Sequence, residues 1–293
     1  RPKSSAASDV YKRQVKFYFK FYFMKYLFIF LFFLCGCSSS TNKTESDVTR
    51  SQFLLLPKFM ALSMAESAYK QEIKKAEENK KLNQDNNQVE RVREITYRLV
   101  DKALFIRDDA QDWGWEVNVQ DSDEVNAYCM PGGKMMIYSG LIEKTDATDD
   151  EIAAVIGHEM AHALREHGRE RMSTALVQQV GLIGFASYIA NQTENRTLKK
   201  TAIQAAALGS TLFFALPHSR EHEREADKLG IELSARAGYN PMAAVSLWRK
   251  MDALSKAKIP EFLSTHPSNE NRIEDLTTHA KKVNQLYIDN KIN

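Results

Sequence analysis

Residues 148–162 read Thr-Asp-Asp-Glu-Ile-Ala-Ala-Val-Ile-Gly-His-Glu-Met-Ala-His, and this stretch decides both the local fold and the chemistry. Thr148 followed three residues on by Glu151 is a capping box, in which each side chain satisfies the other's backbone N–H at a helix start. Ile152, Val155, Ile156, Met160 and Ala163 follow at spacings of three and four, an apolar stripe that buries the helix. His158 and His162 lie on one helix face with Cβ atoms about 5–6 Å apart, so both imidazoles can reach one metal ion. Glu159 between them can act on a water at that metal. The pattern supplies two ligands and the base of a zinc hydrolase.

Catalytic zinc usually takes three protein ligands and leaves a position for water. On an uninterrupted helix His167 would point about 180° away from His158, which excludes it as a ligand. Glu166 would lie a full turn beyond His162 and reads as a surface carboxylate. The third ligand is therefore expected on a second helix, in Ser219-Arg220-Glu221-His222-Glu223-Arg224-Glu225-Ala226-Asp227. Pattern alone does not rank Glu221, Glu223 and Glu225.

Upstream of the metal helix, helical periodicity runs from Phe53 to about Ala110, broken near Pro57 and at Asn83–Asn87. Its charged middle, Lys70–Lys81, reads as a solvated face. Trp113, Trp115, Val117 and Val119 then alternate with polar residues or glycine, as in a strand. Val125–Met130 and Lys134–Ser139, joined by Pro131-Gly132-Gly133, read as a β-hairpin. Everything after Thr148 is expected to be helical. The fold class is thus mainly α (α+β), with a small antiparallel sheet before the HExxH helix. Two apolar segments, Leu176–Ala190 and Ala202–Pro217, are each shorter than a membrane span and read as a helical hairpin near the site.

The net charge is +2, but residues 1–36 carry seven Lys/Arg and one Asp, which leaves the remainder at −4. The mildly acidic body argues against nucleic acid as a partner. Residues 1–23 read as an upstream, non-native segment. Met24 to Gly36 reads as a short signal peptide, with Lys25 as its charged region and Tyr26–Leu34 as its apolar region. It ends at Leu34-Cys35-Gly36-Cys37, a box like that of bacterial lipoproteins, with Cys37 the lipidated residue. Residues 37–51 are polar and are expected to form a flexible tether, ahead of one metallopeptidase domain over 52–293. Cys129 is left as a lone thiol, buried or incidental.

The paired motifs, HExxH at 158–162 and Ser219-Arg220 to Asp227 followed by Gly230, resemble those of zinc metallopeptidase family forty-eight, the HtpX and CAAX prenyl endopeptidase type. The likeness runs from about Val89 to Arg272. It includes Asn126-Ala127-Tyr128, Gly140-Leu141 and Gly238-Tyr239-Asn240-Pro241, and is nearest to the family's periplasmic lipoprotein proteases. The resemblance implies a helical gluzincin-type domain and one Zn2+ per chain. It makes Glu223 the third ligand and Asp227 a carboxylate that orients a ligand histidine. Asn126, Ala127 and Tyr128 would be the edge strand against which an extended peptide pairs.

The late His266-Pro267 element, with Arg272 after it, would lie near the metal. His266, or failing it Arg272, would steady the oxyanion. The expected activity is metal-assisted peptide hydrolysis with Glu159 as general base. Expected substrates are unfolded or misassembled envelope proteins, met at an outer membrane to which the N-terminal lipid holds the enzyme. The alternative is a chaperone or assembly factor for outer-membrane proteins whose zinc is structural.

Overall fold

The computed structural model describes residues 37–192, 218–255, 259–267 and 271–291. A two-residue ladder of β1 (Cys37–Ser38) and β2 (Gln52–Phe53) precedes α1 (Lys58–Glu78) and α2 (Asn86–Ala103). Strands β3 (Glu116–Gln120), β4 (Ala127–Met130) and β5 (Lys134–Tyr138) follow. Next come α3 (Ser139–Lys144), α4 (Asp149–Leu164), α5 (His167–Gln192), α6 (Arg220–Arg236) and α7 (Ala243–Ser255). The short α8 (Glu261–Thr265), α9 (Arg272–Lys282) and α10 (Asn284–Asn290) close the chain.

Helix α4 starts as its capping box requires: Glu151 N–H donates to Thr148 Oγ1 and Thr148 N–H to the Glu151 carboxylate. Every residue from Glu151 to Leu164 is buried, so the metal helix is the central strut of the fold. Helix α6 packs along it, started by Ser219, whose hydroxyl accepts from His222 N–H at 3.1 Å. Two glycines set their separation. A Cβ on Gly157 would fall 2.8 Å from Gly230 O, and one on Gly230 would fall 2.7 Å from His158 N. Ser234 Oγ crosses the same contact and donates to Ala153 O at 3.1 Å. This close approach brings the α6 carboxylates within reach of the α4 histidines.

The sheet has the order β3-β5-β4, and it is mixed where the sequence led us to expect wholly antiparallel pairing. The hairpin β4–β5 is antiparallel as read, but β3 joins β5 in parallel, Glu116 opposite Lys134 through Gln120 opposite Tyr138. Side-chain alternation carries no strand direction, so the pattern could not show it. Central β5 is instead marked by its continuous apolar run, Met135, Met136 and Ile137, all fully buried. Strand β4 is left at the edge, beside α4.

Residues 38–51 are not a flexible tether. Asn42 N–H donates to Ile106 O at 2.7 Å, Ser46 N–H donates to Glu232 Oε2 at 2.7 Å, and Arg50 bridges Glu170 and Glu225. The polar side chains that suggested disorder are the partners of buried charges on α5 and α6, which composition alone cannot reveal. The charged stretch of α1 is a solvated face, with exposed pairs Lys70–Glu66 and Lys74–Glu78. Leu176–Ala190 falls within α5, whereas Ala202–Pro217, the signal peptide 24–36 and residues 1–23 lie outside the described residues. Among the described residues no helix is long and apolar enough to cross a membrane.

Candidate metal centre

Four buried side chains converge from three segments: His158 and His162 on α4, Glu223 on α6, and His266 just after α8. His158 Nε2 lies 3.1 Å from His162 Nε2 and 3.4 Å from Glu223 Oε2, and His162 Nε2 lies 3.3 Å from Glu223 Oε1. His266 Nδ1 stands 3.3 Å from His158 Nε2 and 3.1 Å from Glu223 Oε1. Ligands about 2.0–2.1 Å from one tetrahedral zinc are about 3.4 Å apart, so this donor set has the spacing and chemistry for such an ion. Of the α6 carboxylates left open by the sequence, Glu221 pairs with Arg224 at the surface and Glu225 with Arg165, His167 and Arg50. Of the three, only Glu223 joins His158 and His162.

Around this group stand charges that orient it. Asp227, one turn after Glu223, lies with Oδ1 3.0 Å from His158 Nδ1. Arg272 Nη2 donates to Glu223 Oε2 at 3.1 Å and to Asp227 Oδ1 at 2.8 Å, its guanidinium 3.5 Å over the Trp248 ring. Arg272 is thus a buried clamp on two carboxylates, not a donor aimed at a substrate, and its proposed oxyanion role falls. Burial disfavours the charged form of His158, but contacts with Asp227 and Glu223 outweigh it and raise the imidazole to about 9. A metal taken there displaces a proton. Burial drives His162 the other way, well below its ordinary value, and keeps it neutral.

Glu159 is buried beside the group, with Oε1 3.4 Å from His266 Nε2 and no hydrogen bond to that oxygen among the described residues. Burial raises its pKa, against the pull of His266 and His158. It faces a groove walled by β4, and by Arg171, Met172, His218 and His266. Tyr138 N–H donates to Asn126 O at 3.1 Å. By antiparallel alternation Tyr128 then pairs inward with β5, and the backbone groups of Ala127 and Cys129 turn to the open edge. Ala127 N–H donates there to Asn126 Oδ1 at 2.9 Å. Cys129 carries a free, partly buried thiol whose pKa burial pushes up.

Two expectations about the end of the metal helix fail for one reason. Helix α4 stops at Leu164, and Glu166 takes a left-handed φ of 53°, so the residues after it do not continue the helical phase. Glu166 is buried between Arg107, at 3.4 Å, and Arg169, at 2.9 Å, instead of lying on the surface. His167 folds back beneath the site, its Nδ1 2.9 Å from His162 Nδ1 and its Nε2 2.9 Å from Glu225 Oε2. It stays outside the ligand group, but not by pointing away. His218 also escaped the sequence reading: its ring lies 4.0 Å from that of His162 and stacks on His266 at 5.0 Å. The signal for His218 was only its place directly before Ser219-Arg220.

Three curated relatives are similar to this chain at moderate identity. Mitochondrial metalloendopeptidase OMA1 of Saccharomyces cerevisiae is 33% identical over 184 residues, 59% of this chain and 49% of that protein. Its counterpart in Bos taurus is 32% identical over 247 residues, 80% of this chain and 46% of that one. The beta-barrel assembly-enhancing protease of Escherichia coli K12 is 26% identical over 173 residues, 57% of this chain and 34% of that one. The chain thus spans about half or less of the length of these curated relatives. The model of peptidase family M48 matches residues 86–280, slightly beyond the span over which the motifs run, and with well over half of its length so matched the chain belongs to that family.

Proposed function

We propose that this protein is a zinc-dependent metalloendopeptidase in which His158, His162 and Glu223 hold the metal and Glu159 is the general base. The observation that carries this reading is a buried Glu159 carboxylate, raised in pKa, between a three-segment ligand group and a groove walled by an edge strand. When bound, the zinc would lower the pKa of water to near 7 and polarise the scissile carbonyl.

A substrate lies extended along β4, pairing with the outward backbone groups of Ala127 and Cys129 in the manner of strand addition. Glu159 takes the proton of the attacking water and delivers it to the leaving amide nitrogen. His266 steadies the oxyanion once substrate has drawn it from the ligand group, a contribution of about 3 kcal/mol. Asp227 holds the His158 ring and Arg272 holds Glu223.

Substrates are assigned to unfolded or misassembled envelope proteins, with the chain at the bacterial outer membrane, facing the periplasm, on a lipid at Cys37. The signal-peptide pattern supports this. Pairing of Cys37 with Phe53 would set the anchor directly against the domain. The name of the Escherichia coli relative, a beta-barrel assembly-enhancing protease, supports the assembly part of a second reading, in which the chain assists outer-membrane proteins and its metal is structural. Glu159 argues against that alone, since a structural site has no use for a base.

The test is Glu159→Gln. It should bind zinc as the unaltered protein does and lose nearly all hydrolysis of casein; a zinc-loaded variant that still cleaves casein overturns the assignment. If the same variant rescues a loss-of-function strain, the assembly reading takes precedence.

A further inference from the structure

The two ligand histidines of α4 are supported differently. His158 Nδ1 meets a carboxylate directly, Asp227 Oδ1 at 3.0 Å. His162 Nδ1 meets another imidazole, His167 Nδ1 at 2.9 Å, and the far nitrogen of that ring, Nε2, lies 2.9 Å from Glu225 Oε2. All three side chains are buried. Glu225 is fixed in turn by Arg165 Nε at 3.0 Å and Arg50 Nε at 2.8 Å.

Between two ring nitrogens 2.9 Å apart there is room for one proton, so one ring donates and the other accepts. His162 turns its Nε2 to Glu223 and His158. A neutral imidazole that gives Nε2 to a metal carries its proton on Nδ1. His162 Nδ1–H therefore donates to His167 Nδ1. His167 must then carry its own proton on Nε2, and that proton points at the Glu225 carboxylate, an acceptor only. Every donor and acceptor along Glu225, His167 and His162 is matched in this single arrangement, and reversing it would leave His167 Nε2 and Glu225 as two facing acceptors.

We infer that His167 is a positioning residue for the metal centre: it fixes the ring orientation and tautomer of His162, and Glu225, held by Arg165 and by Arg50 of the segment before β2, fixes His167. The inference rests on the reading of the site as a metal centre. Outer partners of this kind typically govern metal affinity by about 10- to 100-fold. The turn after Leu164 is then functional geometry, because a straight continuation of α4 would carry residue 167 away from His162.

The experiment measures zinc affinity of the full chain by competition with a chromogenic chelator, for the unaltered protein, His167→Phe and His167→Gln. Phenylalanine keeps the ring and removes both nitrogens; glutamine offers an oxygen to accept from His162 and an N–H to donate to Glu225. We expect the phenylalanine variant to lose about 10- to 100-fold in affinity and the glutamine variant to stay within about threefold. Equal losses in both, or none in the phenylalanine variant, overturn the inference. A chain that binds no zinc in any form overturns the metal reading itself.

Nitrogen-15 NMR of the zinc-loaded unaltered protein supplies a readout independent of variant folding. It should show His162 protonated on Nδ1 and His167 on Nε2, and a proton on His167 Nδ1 sinks the proposal.

Discussion

At Gly230 a single missing Cβ decides how far the third ligand stands from the first two. It lies on α6 seven residues, about two turns, past Glu223, and any side chain there would strike backbone atoms of His158 and Gly157 at 2.7–2.8 Å. Backbone cannot yield as a side-chain tip can, so the helices must part. Gly230→Ala should destabilise by about 1–3 kcal/mol, the usual cost of overpacking, and should also weaken zinc binding, because Glu223 moves with α6. Thermal melting and chelator competition measure the two effects; an alanine variant with native affinity would show that the glycine does not set the site. The sequence displayed Gly230 behind the third-ligand motif but not its reason, which is a contact with a residue more than seventy positions earlier. His158, Glu159 and His162 were legible because their geometry is local to one helix. Choosing Glu223 over Glu221 and Glu225 needed resemblance, since all three sit on the same short run.

Among the elements, the turn between α4 and α5 and the segment before β2 were the least legible, and they belong together. Where a helix ends on a left-handed residue, that residue is usually glycine, sometimes asparagine, whereas here Glu166 takes that conformation, with φ of 53°, held by Arg107 and Arg169. No turn residue announced the break, so the helical phase ran on in the sequence reading and misplaced His167. The 38–51 segment was misread because polar, charged chain resembles a solvated tether until its partners are known. Those partners give it a pH dependence. Burial alone raises Glu170 and Glu225, but Arg50, His222 and Gln52 on the first, and His167, Arg50 and Arg165 on the second, hold both well below the ordinary carboxylate range. A carboxylate lowered in the folded state contributes stability above its unfolded pKa of about 4.3 and loses it as pH falls toward the folded value. Residues 46–53 should therefore gain hydrogen exchange, corrected for intrinsic rates, between about pH 4 and 2, earlier than α4 does. If the segment and α4 open together, the ion network does not govern the segment's attachment.

Across the whole molecule, the proposed ligands come from α4 and α6, and His266, 108 residues from His158, joins their group from the segment after α8. A metal in this group would add to the contacts that hold α8, a five-residue helix with only Phe262 buried: Phe262 N–H donates to Val125 O at 3.1 Å, His218 N–H donates to Thr265 O at 3.1 Å, and the Phe262 ring lies 5.7 Å from that of Trp248. Helix α4, by contrast, is buried along its length and sits at the centre of the apolar core. Zinc at about a hundred times its dissociation constant stabilises the folded chain by about 2.7 kcal/mol, which for a domain of this size corresponds to about 5–10 °C in melting temperature. Chelation should remove that increment and should raise hydrogen exchange most in residues 259–267, while α4 and β5 keep their protection. Glu159→Gln should show the same increment, because the base is not a ligand, and Glu223→Gln should show little of it. A melting temperature indifferent to chelator in the unaltered protein would mean that the packing of α6 on α4 and the contacts of Arg272 and Trp248 hold these segments without the metal, and that the metal acts only in the chemistry.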